Sequence, residues 1–451
     1  MIDIEVLIIG GGPAAITIAK NISNRKKVAL IRPEDYSMIY CAMPYVIENI
    51  IPFDKSLKKD AIVTNTGAVL IRDKAIEVDF ESKSVVTAKG DCYTYEKLVI
   101  ATGAVPLLPP IEGSSLKGVF TFKTEDDLKS LLAYRDAGIK KAVVVGAGAI
   151  GIELAQALNN AKIETYLIDM KSHVLPQMMD IEMVKDTQDT LKNSGIHLIL
   201  GDRVRALKGE RAVSGVVLEN GKEISFNADG SDSEEGVVVF AVGMKPEIDL
   251  FKDTDLSVEK DGIIVNEKME TNIKDVYAVG DCVQFKSGIS GNVIGGKLAT
   301  NAVPMGKIAA KNILGDTREY RGFFNGAATK IEHYFIGGTG FTEKKSRENF
   351  SVVTGYAEFT TAFPVMPFAK KVRMKLIADK DSLRVLGGQV VGGEPVTDKV
   401  DLITMAVQYG IKVSDLVHFS YSAQPYQSFF PANNLMVACA EEILQKVKNV
   451  S

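Results

Sequence analysis

The sequence lacks paired cysteines and long apolar runs. Its four cysteines lie far apart and form no Cys-x-x-Cys pair. This spacing excludes a zinc knuckle or an iron–sulfur ligand set, so we expect no metal centre, and it favours a reducing cytoplasm. No window approaches the roughly 18 uninterrupted apolar residues of a membrane span, and no basic stretch precedes the first apolar run. We therefore expect neither a membrane helix nor a signal peptide.

An excess of basic residues is also missing. The chain has 53 Lys and Arg against 57 Asp and Glu, which gives a formal net charge of −4. This balance argues against a nucleic-acid partner, which would require a basic face. With 451 residues, of which 46% are apolar, the chain has the composition of an ordinary soluble protein with two or three domains.

Two glycine-rich turns stand out, and each lies between an apolar strand and a helix. The motifs share the form Gly-x-Gly-x-x-small, and consist of Gly10, Gly12 and Ala15, and of Gly146, Gly148 and Gly151. In such a motif the first glycine permits the tight turn, and the second lets backbone N–H groups approach a pyrophosphate. The third small residue lets helix and strand pack closely. One such motif is a weak signal, but two in complete βαβ units predict two dinucleotide sites.

The residue that should contact a ribose differs between the two motifs. After the second motif the next strand ends in Asp169, which favours NADH because a 2′-phosphate would meet a carboxylate. Lys171 nearby leaves NADPH use open. After the first motif the strand ends in Arg32, where an acid is expected, and Glu34 is the alternative contact.

Two further strand ends complete a pattern. One strand leads into Ala101-Thr102-Gly103, and another ends in Gly280-Asp281. Together with the two glycine motifs and Gly243, these residues resemble the pyridine nucleotide–disulfide oxidoreductases over essentially the whole chain. The resemblance implies an α/β fold with two Rossmann-like dinucleotide-binding domains and a C-terminal α+β dimerisation domain, and hence a homodimer.

The resemblance also assigns the cofactors and the domain boundaries. FAD would occupy the first site and NADH the second, with the final Asp of the Gly-Asp strand contacting the flavin ribitol. The implied FAD contacts are Gly10, Gly12, Pro13, Ala14, Ala15, Arg32, Glu34, Ala101, Thr102, Gly103, Gly243, Gly280 and Asp281. The implied NADH contacts are Gly146, Gly148, Ile150, Gly151, Glu153 and Asp169. We expect an FAD domain at 1–112 and 245–320, an NAD(P)H domain at 113–244, and an interface domain at 321–451.

Periodicity predicts the local structure of the remaining chain. The polar stretch 223–236 is predicted to be a loop. After residue 321 the pattern changes to antiparallel strands at 331–336, 352–359 and 372–377, followed by a helix at 397–409.

Cys41 is the predicted redox centre. It lies shortly before Pro44 and an apolar helical pattern, so its thiol should sit near a helix N-terminus, where thiolate is stabilised. Cys92 and Cys439 fit inert core residues, and Cys282 is best explained by packing.

The absence of three other catalytic features indicates which branch of the family the chain resembles. Val46 stands where disulfide-forming relatives have a second cysteine, the first helix has no histidine, and no C-terminal His-Pro pair is present. The segment around Cys41 instead resembles coenzyme A-disulfide reductases and archaeal-type NADH oxidases, in which one cysteine works alone. That branch places tyrosines of the partner subunit near the thiol. Tyr421 matches one of these tyrosines, and Phe363 replaces the other, which leaves coenzyme A open as the natural thiol.

These observations predict an FAD enzyme that uses NADH to reduce a small disulfide, persulfide or polysulfide through Cys41. Lys20, Arg25 and Lys74 could bind the phosphates of coenzyme A, or they could simply be solvated. The first alternative is an NADH oxidase that reduces O2 at the flavin. The second is an electron-transfer or redox-responsive flavoprotein that resembles rubredoxin reductase.

Overall fold

A computed structural model describes residues 2–226, 236–296 and 298–449. The chain separates into two compact units. Unit 1 comprises Met1–Leu107, Lys123–Asp126 and Gly243–Phe323. Unit 2 comprises Leu108–Phe122, Asp127–Val242 and Phe324–Ser451. Unit 2 thus contains both the predicted NADH-binding residues and the C-terminal residues, so the division into three domains stays a prediction.

The secondary structure alternates strands and helices up to residue 313 and is strand-rich after it. The helices α1 to α11 are, in chain order, Pro13–Ile22, Met43–Ile47, Ala61–Thr64, Glu125–Asp136, Ala149–Asn160, Ile181–Asn193, Ala299–Ile313, Glu343–Ser346, Thr397–Gln408, Val413–Leu416 and Leu435–Lys448. The strands β1 to β26 are Ile2–Ile9, Val28–Ile31, Ser37–Met38, Leu57–Lys58, Val69–Ile71, Ala75–Asp79, Ser84–Thr87, Cys92–Ile100, Ala104–Pro106, Val119–Thr121, Lys141–Val145, Glu164–Asp169, His197–Leu200, Val204–Lys208, Gly215–Leu218, Glu223–Ser225, Gly236–Phe240, Met244–Pro246, Val258–Glu259, Gly262–Ile263, Val276–Ala278, Ala327–Ile331, Tyr334–Gly340, Val352–Thr360, Lys371–Asp379 and Val385–Gly392.

Unit 1 is built on a mixed sheet. Its strands run in the order β5-β2-β1-β8-β7-β6, and β21 pairs in parallel with β8. The strands β5, β2, β1 and β8 are parallel, so their carboxyl ends meet at one edge. Residues 6–9 of β1 are all buried, as expected for a strand covered on both faces. The helices α1 and α7 pack against each other beside this sheet, and their apolar residues belong to its core.

Unit 2 contains a parallel sheet in the order β10-β17-β11-β12-β13 and an antiparallel meander of β14, β15 and β16. A second antiparallel sheet, β22-β23-β26-β25-β24, forms its C-terminal part. The helix α9 packs on β26, and α11 packs on β24. Gly355 in β24 permits this approach, because a Cβ there would lie 2.0 Å from the carbonyl oxygen of Cys439.

Two sequence predictions of local structure are wrong. The strand predicted at 331–336 is instead a tight hairpin of β22 and β23, in which Glu332 adopts a left-handed conformation with φ 51°. Glutamate is not a typical residue for that conformation, so the turn carries no sequence signal. The loop predicted at 223–236 begins with the strand β16, which pairs with β15, and residues 227–235 lie outside the described part of the chain.

Among the residues that the structure describes, no helix has both the length and the apolar character needed to cross a bilayer.

Candidate functional site

The first glycine motif forms the turn between β1 and α1. Gly10 has φ +127°, and a Cβ there would lie 2.1 Å from the carbonyl oxygen of Ala101, so only glycine fits. Gly12 is the N-cap of α1, and a Cβ at Gly12 would meet no atom within 4 Å. The helix then opens with Pro13, and the next two residues, Ala14 and Ala15, are buried. The turn therefore leaves open space in front of the helix N-terminus, which fits a pyrophosphate.

The end of β8 connects this turn to the chain that returns at residue 243. The backbone N–H of Ala101 donates to Ile9, which fixes it beside the first turn. The Thr102 hydroxyl donates to the carbonyl oxygen of Glu247 at 2.6 Å, and the Glu247 N–H donates to Gly103. Thr102 and Gly103 therefore hold the returning chain, in which Gly243 has φ +119°.

Asp281 lies in a 3₁₀ turn at the mouth of the same site. A Cβ on the preceding Gly280, which has φ +80°, would lie 3.5 Å from the Cβ of Ala14 in α1 and 3.6 Å from that of Ala302 in α7. Asp281 is therefore next to the N-terminal turns of two helices. This position fits the ribitol contact that the resemblance assigns to it.

Lys123 joins this cluster, and sequence reasoning missed it. Its ammonium lies 4.0 Å from Oδ2 of Asp281, donates to Ala104 at 2.5 Å, and stands 5.5 Å from the centre of the Tyr40 ring. Burial raises the pKa of Tyr40, and the carboxylates of Glu34 and Asp281 raise it further. Tyr40, the neighbour of Cys41, thus lies beside the Lys123 ammonium in this cluster.

Cys41 lies in a 3₁₀ turn of residues 40–42, directly before α2, and it is exposed. Pro44 occupies the first turn of α2, as predicted. The helix has only five residues, so its dipole gives the thiolate less support than the sequence led us to expect.

The other cysteines differ from Cys41 in exposure. Cys92 is half-buried, and Cys282 and Cys439 are buried. The thiol of Cys282 donates to the carbonyl oxygens of Ile100 and Val279. Burial raises the pKa of the Cys439 thiol, which keeps it protonated and inert. Cys41 is therefore the most accessible thiol of the four.

Lysines supply positive charge near Cys41. Lys58 lies in β4, which pairs with the segment just before Cys41 through the Ser37–Lys58 register. Burial lowers the pKa of Lys58, the charge of Cys41 opposes this shift, and Lys20 adds to it. Both lysines are thus within electrostatic reach of one another and of the thiol region. Lys58 follows Cys41 in an unremarkable polar stretch, so no sequence signal pointed to it.

Arg32 and Glu34 differ in their accessibility to a nucleotide. The Arg32 side chain is 2% exposed, and its Nε donates to the carbonyl oxygen of Glu34 at 2.8 Å. The Glu34 side chain is exposed. Their contacts with the ribose remain predictions.

The second glycine motif repeats the geometry of the first. Gly146 has φ +109°, and a Cβ there would lie 2.5 Å from Ala241. A Cβ on Gly151 would lie 1.8 Å from the oxygen of Gly146, whereas one on Gly148 would meet nothing within 4 Å. The open space again fits a pyrophosphate, and the Ile150 side chain at the start of α5 is partly exposed.

Asp169 and Glu153 flank this second turn. Asp169 accepts hydrogen bonds from the N–H groups of Ala147 at 2.6 Å and Lys171 at 2.7 Å, so its carboxylate is fixed at the end of β12. Burial raises the pKa of Glu153, and a 2.7 Å hydrogen bond from the Thr329 hydroxyl opposes the shift. The carboxylate of Glu153 is thus held by a residue that lies 176 positions away in sequence.

Tyr421 lies in an aromatic group in unit 2. Its hydroxyl donates to the carbonyl oxygen of Pro431 at 2.6 Å, and its ring meets Phe429 edge-on. Phe363, the predicted departure from the tyrosine pattern, meets Phe430 edge-on. Tyr426 stacks on Phe368 and is 68% exposed, which makes its phenol the more accessible of the two.

Comparisons with known proteins agree with this geometry. The family profile for pyridine nucleotide-disulphide oxidoreductases matches residues 4–306, and the profile for the dimerisation domain of these enzymes matches residues 327–429. An NADH oxidase of Methanocaldococcus jannaschii is 33% identical over an alignment of 464 positions, which covers 99% of this chain and 100% of that protein.

Sulfur-reducing enzymes are also among the relatives. An NAD(P)H coenzyme A polysulfide/persulfide reductase of Pyrococcus horikoshii is 30% identical over 91% of this chain and 92% of its own. The solved structure of an NAD-dependent persulfide reductase from A. fulgidus superposes with a TM-score of 0.92 at 29% identity, covering 99% of this chain and 84% of that one. The chain therefore belongs to the pyridine nucleotide–disulphide oxidoreductases, a family of enzymes that depend on FAD and NAD(P)H.

Proposed function

We propose that the protein uses NADH to reduce a low-molecular-weight disulfide, persulfide or polysulfide through Cys41. The observation that carries the proposal is the exposed Cys41 thiol, with Lys58 and Lys20 in electrostatic reach, in the unit that contains the first glycine motif. Nearby cations attract anionic substrates toward the thiol. The polysulfide and persulfide reductases among the relatives support this choice.

The reaction balances with one cysteine. The Cys41 thiolate attacks one sulfur of the substrate, so that a Cys41–substrate disulfide forms and one thiolate leaves. Two electrons then cleave the mixed disulfide and regenerate the Cys41 thiolate and the second thiol. Each turnover consumes NADH and one proton and yields NAD⁺ and two thiols, or one thiol and hydrogen sulfide from a persulfide. FAD, when bound, would carry the two electrons from NADH to sulfur.

We propose that residues 1–112 and 245–320 hold FAD and that residues 113–244 hold NADH. The two open glycine turns support this assignment, in which Asp281 would contact the ribitol of FAD and Asp169 the ribose of NADH. The fixed Asp169 carboxylate would repel a 2′-phosphate, which favours NADH over NADPH. Glu153, half-buried and bonded to the Thr329 hydroxyl, would contact the dinucleotide beside this turn.

We propose that residues 321–451 form the interface of a homodimer. The match to a dimerisation domain supports this, and so does a group of exposed apolar side chains in the same segment. Its members are Val365, Phe368, Tyr421, Tyr426 and Phe430. Burying these side chains would stabilise a dimer, and Tyr421 or Tyr426 of one subunit would then approach Cys41 of the other. Coenzyme A is a candidate thiol, since Lys20 and Lys58 could bind its phosphates.

NADH oxidation by O2 is the second candidate, because the relative from M. jannaschii is an NADH oxidase. Cys41→Ser separates the two. NADH-dependent reduction of coenzyme A disulfide and of polysulfide, measured without oxygen, should fall by at least about 10³-fold, since the nucleophile is lost. Oxygen consumption in air should persist. Cys92→Ser is the matched control and should retain both activities. Full anaerobic sulfur reduction by Cys41→Ser would overturn the proposal.

A further inference from the structure

Arg32 occupies the ribose end of the first nucleotide site, where an acid is the usual residue. It directly follows β2, beside β1 at the carboxyl edge of the parallel sheet. A Cβ on Gly11, in the middle of the first glycine motif, would lie 2.2 Å from Cδ of Arg32. The aliphatic part of Arg32 therefore packs directly against the turn. The residue that follows this strand is the one that contacts ribose hydroxyls in this type of βαβ unit.

An arginine at this point of a Rossmann unit usually accommodates a 2′-phosphate. FAD carries no such phosphate, so an uncompensated guanidinium would give the site the wrong charge. The carboxylate of Asp60, the residue before α3, neutralises this guanidinium. Oδ1 of Asp60 accepts from Nη2 of Arg32 at 2.7 Å, and its Oδ2 accepts from Arg72.

Arg72 is brought to the same place by strand pairing. Ile31 pairs with Ile71 in the register of β2 and β5, so Arg32 and Arg72 leave adjacent strands side by side. Two like charges at this distance repel each other unless an anion lies between them. The Asp60 carboxylate bridges them, and Asp35 pairs with Arg72 from the other side at 2.8 Å. Asp60 is therefore the carboxylate that neutralises Arg32, whereas the Asp35 carboxylate pairs with Arg72.

The orientation of Arg32 leaves one nitrogen available to a ligand. Nε donates to Glu34 at 2.8 Å, and Nη2 donates to the carbonyl oxygen of Asp35 at 2.9 Å as well as to Asp60. Within the described residues, Nη1 has no hydrogen-bond acceptor. The side chain as a whole is almost fully buried, but Nη1 is not itself enclosed by protein atoms, so it is open to an acceptor from a ligand or from water. A ribose hydroxyl can supply it.

We propose that Asp60 is a positioning residue for the first nucleotide site, where it neutralises Arg32 and holds the guanidinium so that Nη1 donates to an unphosphorylated ribose. The inference rests on the proposed binding of FAD at the first motif, and it names the residues that set the specificity of that site. The role that a strand-end acid has in other Rossmann units is thus divided between a donor, Arg32, and a carboxylate 28 positions further along the chain.

Asp60→Asn, with Asp35→Asn as matched control, tests this. Asp35 pairs through its carboxylate with Arg72 and reaches Arg32 only through its carbonyl oxygen, so the control removes a carboxylate without freeing Arg32. Flavin is removed from each protein, FAD is titrated back by fluorescence, and bound FAD is displaced with ADP or 2′-phospho-ADP. These two probes differ by one phosphate, and displacement of FAD reports on the first site alone.

In the wild type, ADP should displace FAD at about tenfold lower concentration than 2′-phospho-ADP. Asp60→Asn should weaken FAD binding by about tenfold or more and abolish or invert this preference, because an unmasked guanidinium attracts the phosphate. Asp35→Asn should stay within about threefold of the wild type, as expected for an exposed pair.

A wild-type FAD affinity and an unchanged probe preference in Asp60→Asn would overturn the inference. A wild type that binds no FAD would instead refute the proposed function. If Asp60→Asn does not fold, Arg32→Lys provides the test. This replacement keeps the positive charge but loses the planar set of N–H donors that the guanidinium provides. Weaker FAD binding at an unchanged melting temperature of the flavin-free protein would support the role of Arg32, and unchanged FAD affinity would contradict it.

Discussion

Lys375 should be the most important single charge for the stability of unit 2. The side chain is 4% exposed, and its ammonium donates to Asp180 at 2.9 Å, to Glu343 at 2.7 Å and to Glu182. The three carboxylates lie within 4.8 Å of one another, a spacing that could otherwise suit a metal ion. Because Lys375 is bonded to all three, its ammonium already supplies the positive charge that they require.

Replacing Lys375 with Met leaves these carboxylates to repel each other. Glu182 is half exposed and can turn into solvent, so the pair Asp180 and Glu343 remains. At a separation of 4.8 Å and an effective dielectric constant near 20, the repulsion between two carboxylates lowers the free energy of unfolding by about 3 kcal/mol. This agrees with the roughly 3–5 kcal/mol lost when a buried ion pair loses one partner. The melting temperature should therefore fall by about 6–10 °C, at about 2 °C per kcal/mol for a unit of this size.

The pH dependence provides an independent check. Burial raises the pKa of Glu343, but hydrogen bonds from Lys375 and Arg347 outweigh this and hold it below its ordinary value of 4.5. The stability from this lowered pKa is present above pH 4.5 and is lost as the pH falls through the lowered value. In Lys375→Met, protonation should instead relieve the repulsion between the carboxylates. The loss of melting temperature relative to the wild type should therefore become smaller as the pH falls from 7 to 5.

The matched control is Arg347→Met, which removes the exposed partner of Glu343. It should cost less than about 1 kcal/mol. Differential scanning calorimetry at pH 7 and pH 5 measures both variants. A melting temperature of Lys375→Met equal to that of Arg347→Met would refute the reasoning.

Three further predictions concern the first glycine turn, Lys58 and the interface. Gly12→Ala should leave the melting temperature of the flavin-free protein within about 2 °C of the wild type. It should reduce FAD affinity by at least about tenfold, because the added Cβ would enter the open space in front of the helix. Gly10→Ala should instead destabilise the protein itself, because the added Cβ would clash with Ala101. Lys58→Met should slow reaction with anionic disulfides about three- to tenfold at low salt and leave a neutral disulfide unaffected, so equal slowing of both would count against a charge effect. Replacing the exposed Val365 and Tyr426 by Asp should convert the proposed dimer to a monomer in sedimentation experiments. A dimer that survives this replacement would show that the interface lies elsewhere.

Much of the fold was predictable because its signals are local. The glycine spacing and the apolar strands before each motif identified both turns. The strands β24 and β25 and the helix α9 lie where periodicity predicted strands at 352–359 and 372–377 and a helix at 397–409. Local signals did not predict the turn at Glu332. The hairpin around this glutamate imposes its left-handed conformation, which glutamate does not prefer by itself. Short strands such as β16 fail for a similar reason, since pairing with β15 creates them.

The parts of the site that the sequence did not predict depend on distant contacts. Lys123 reaches the Asp281 cluster from a different segment of unit 1, and Thr329 reaches Glu153 from the C-terminal sheet. Asp60 pairs with Arg32 across 28 positions of sequence, and Arg72 joins this pair because β2 and β5 are neighbours. An isolated lysine, threonine or aspartate has no pattern that marks it for such a role. These residues become recognisable only when the strands are paired.

The state of Cys41 during turnover tests the central claim most directly. The protein is reduced with NADH without oxygen, exposed to excess coenzyme A disulfide, quenched with acid, and the peptide containing Cys41 is weighed by mass spectrometry. We predict one coenzyme A adduct on Cys41, lost again when NADH is added, and no adduct on Cys92 or in Cys41→Ser. Sustained reduction of the disulfide with Cys41 unmodified at every time point would contradict the proposal that this thiol is the nucleophile.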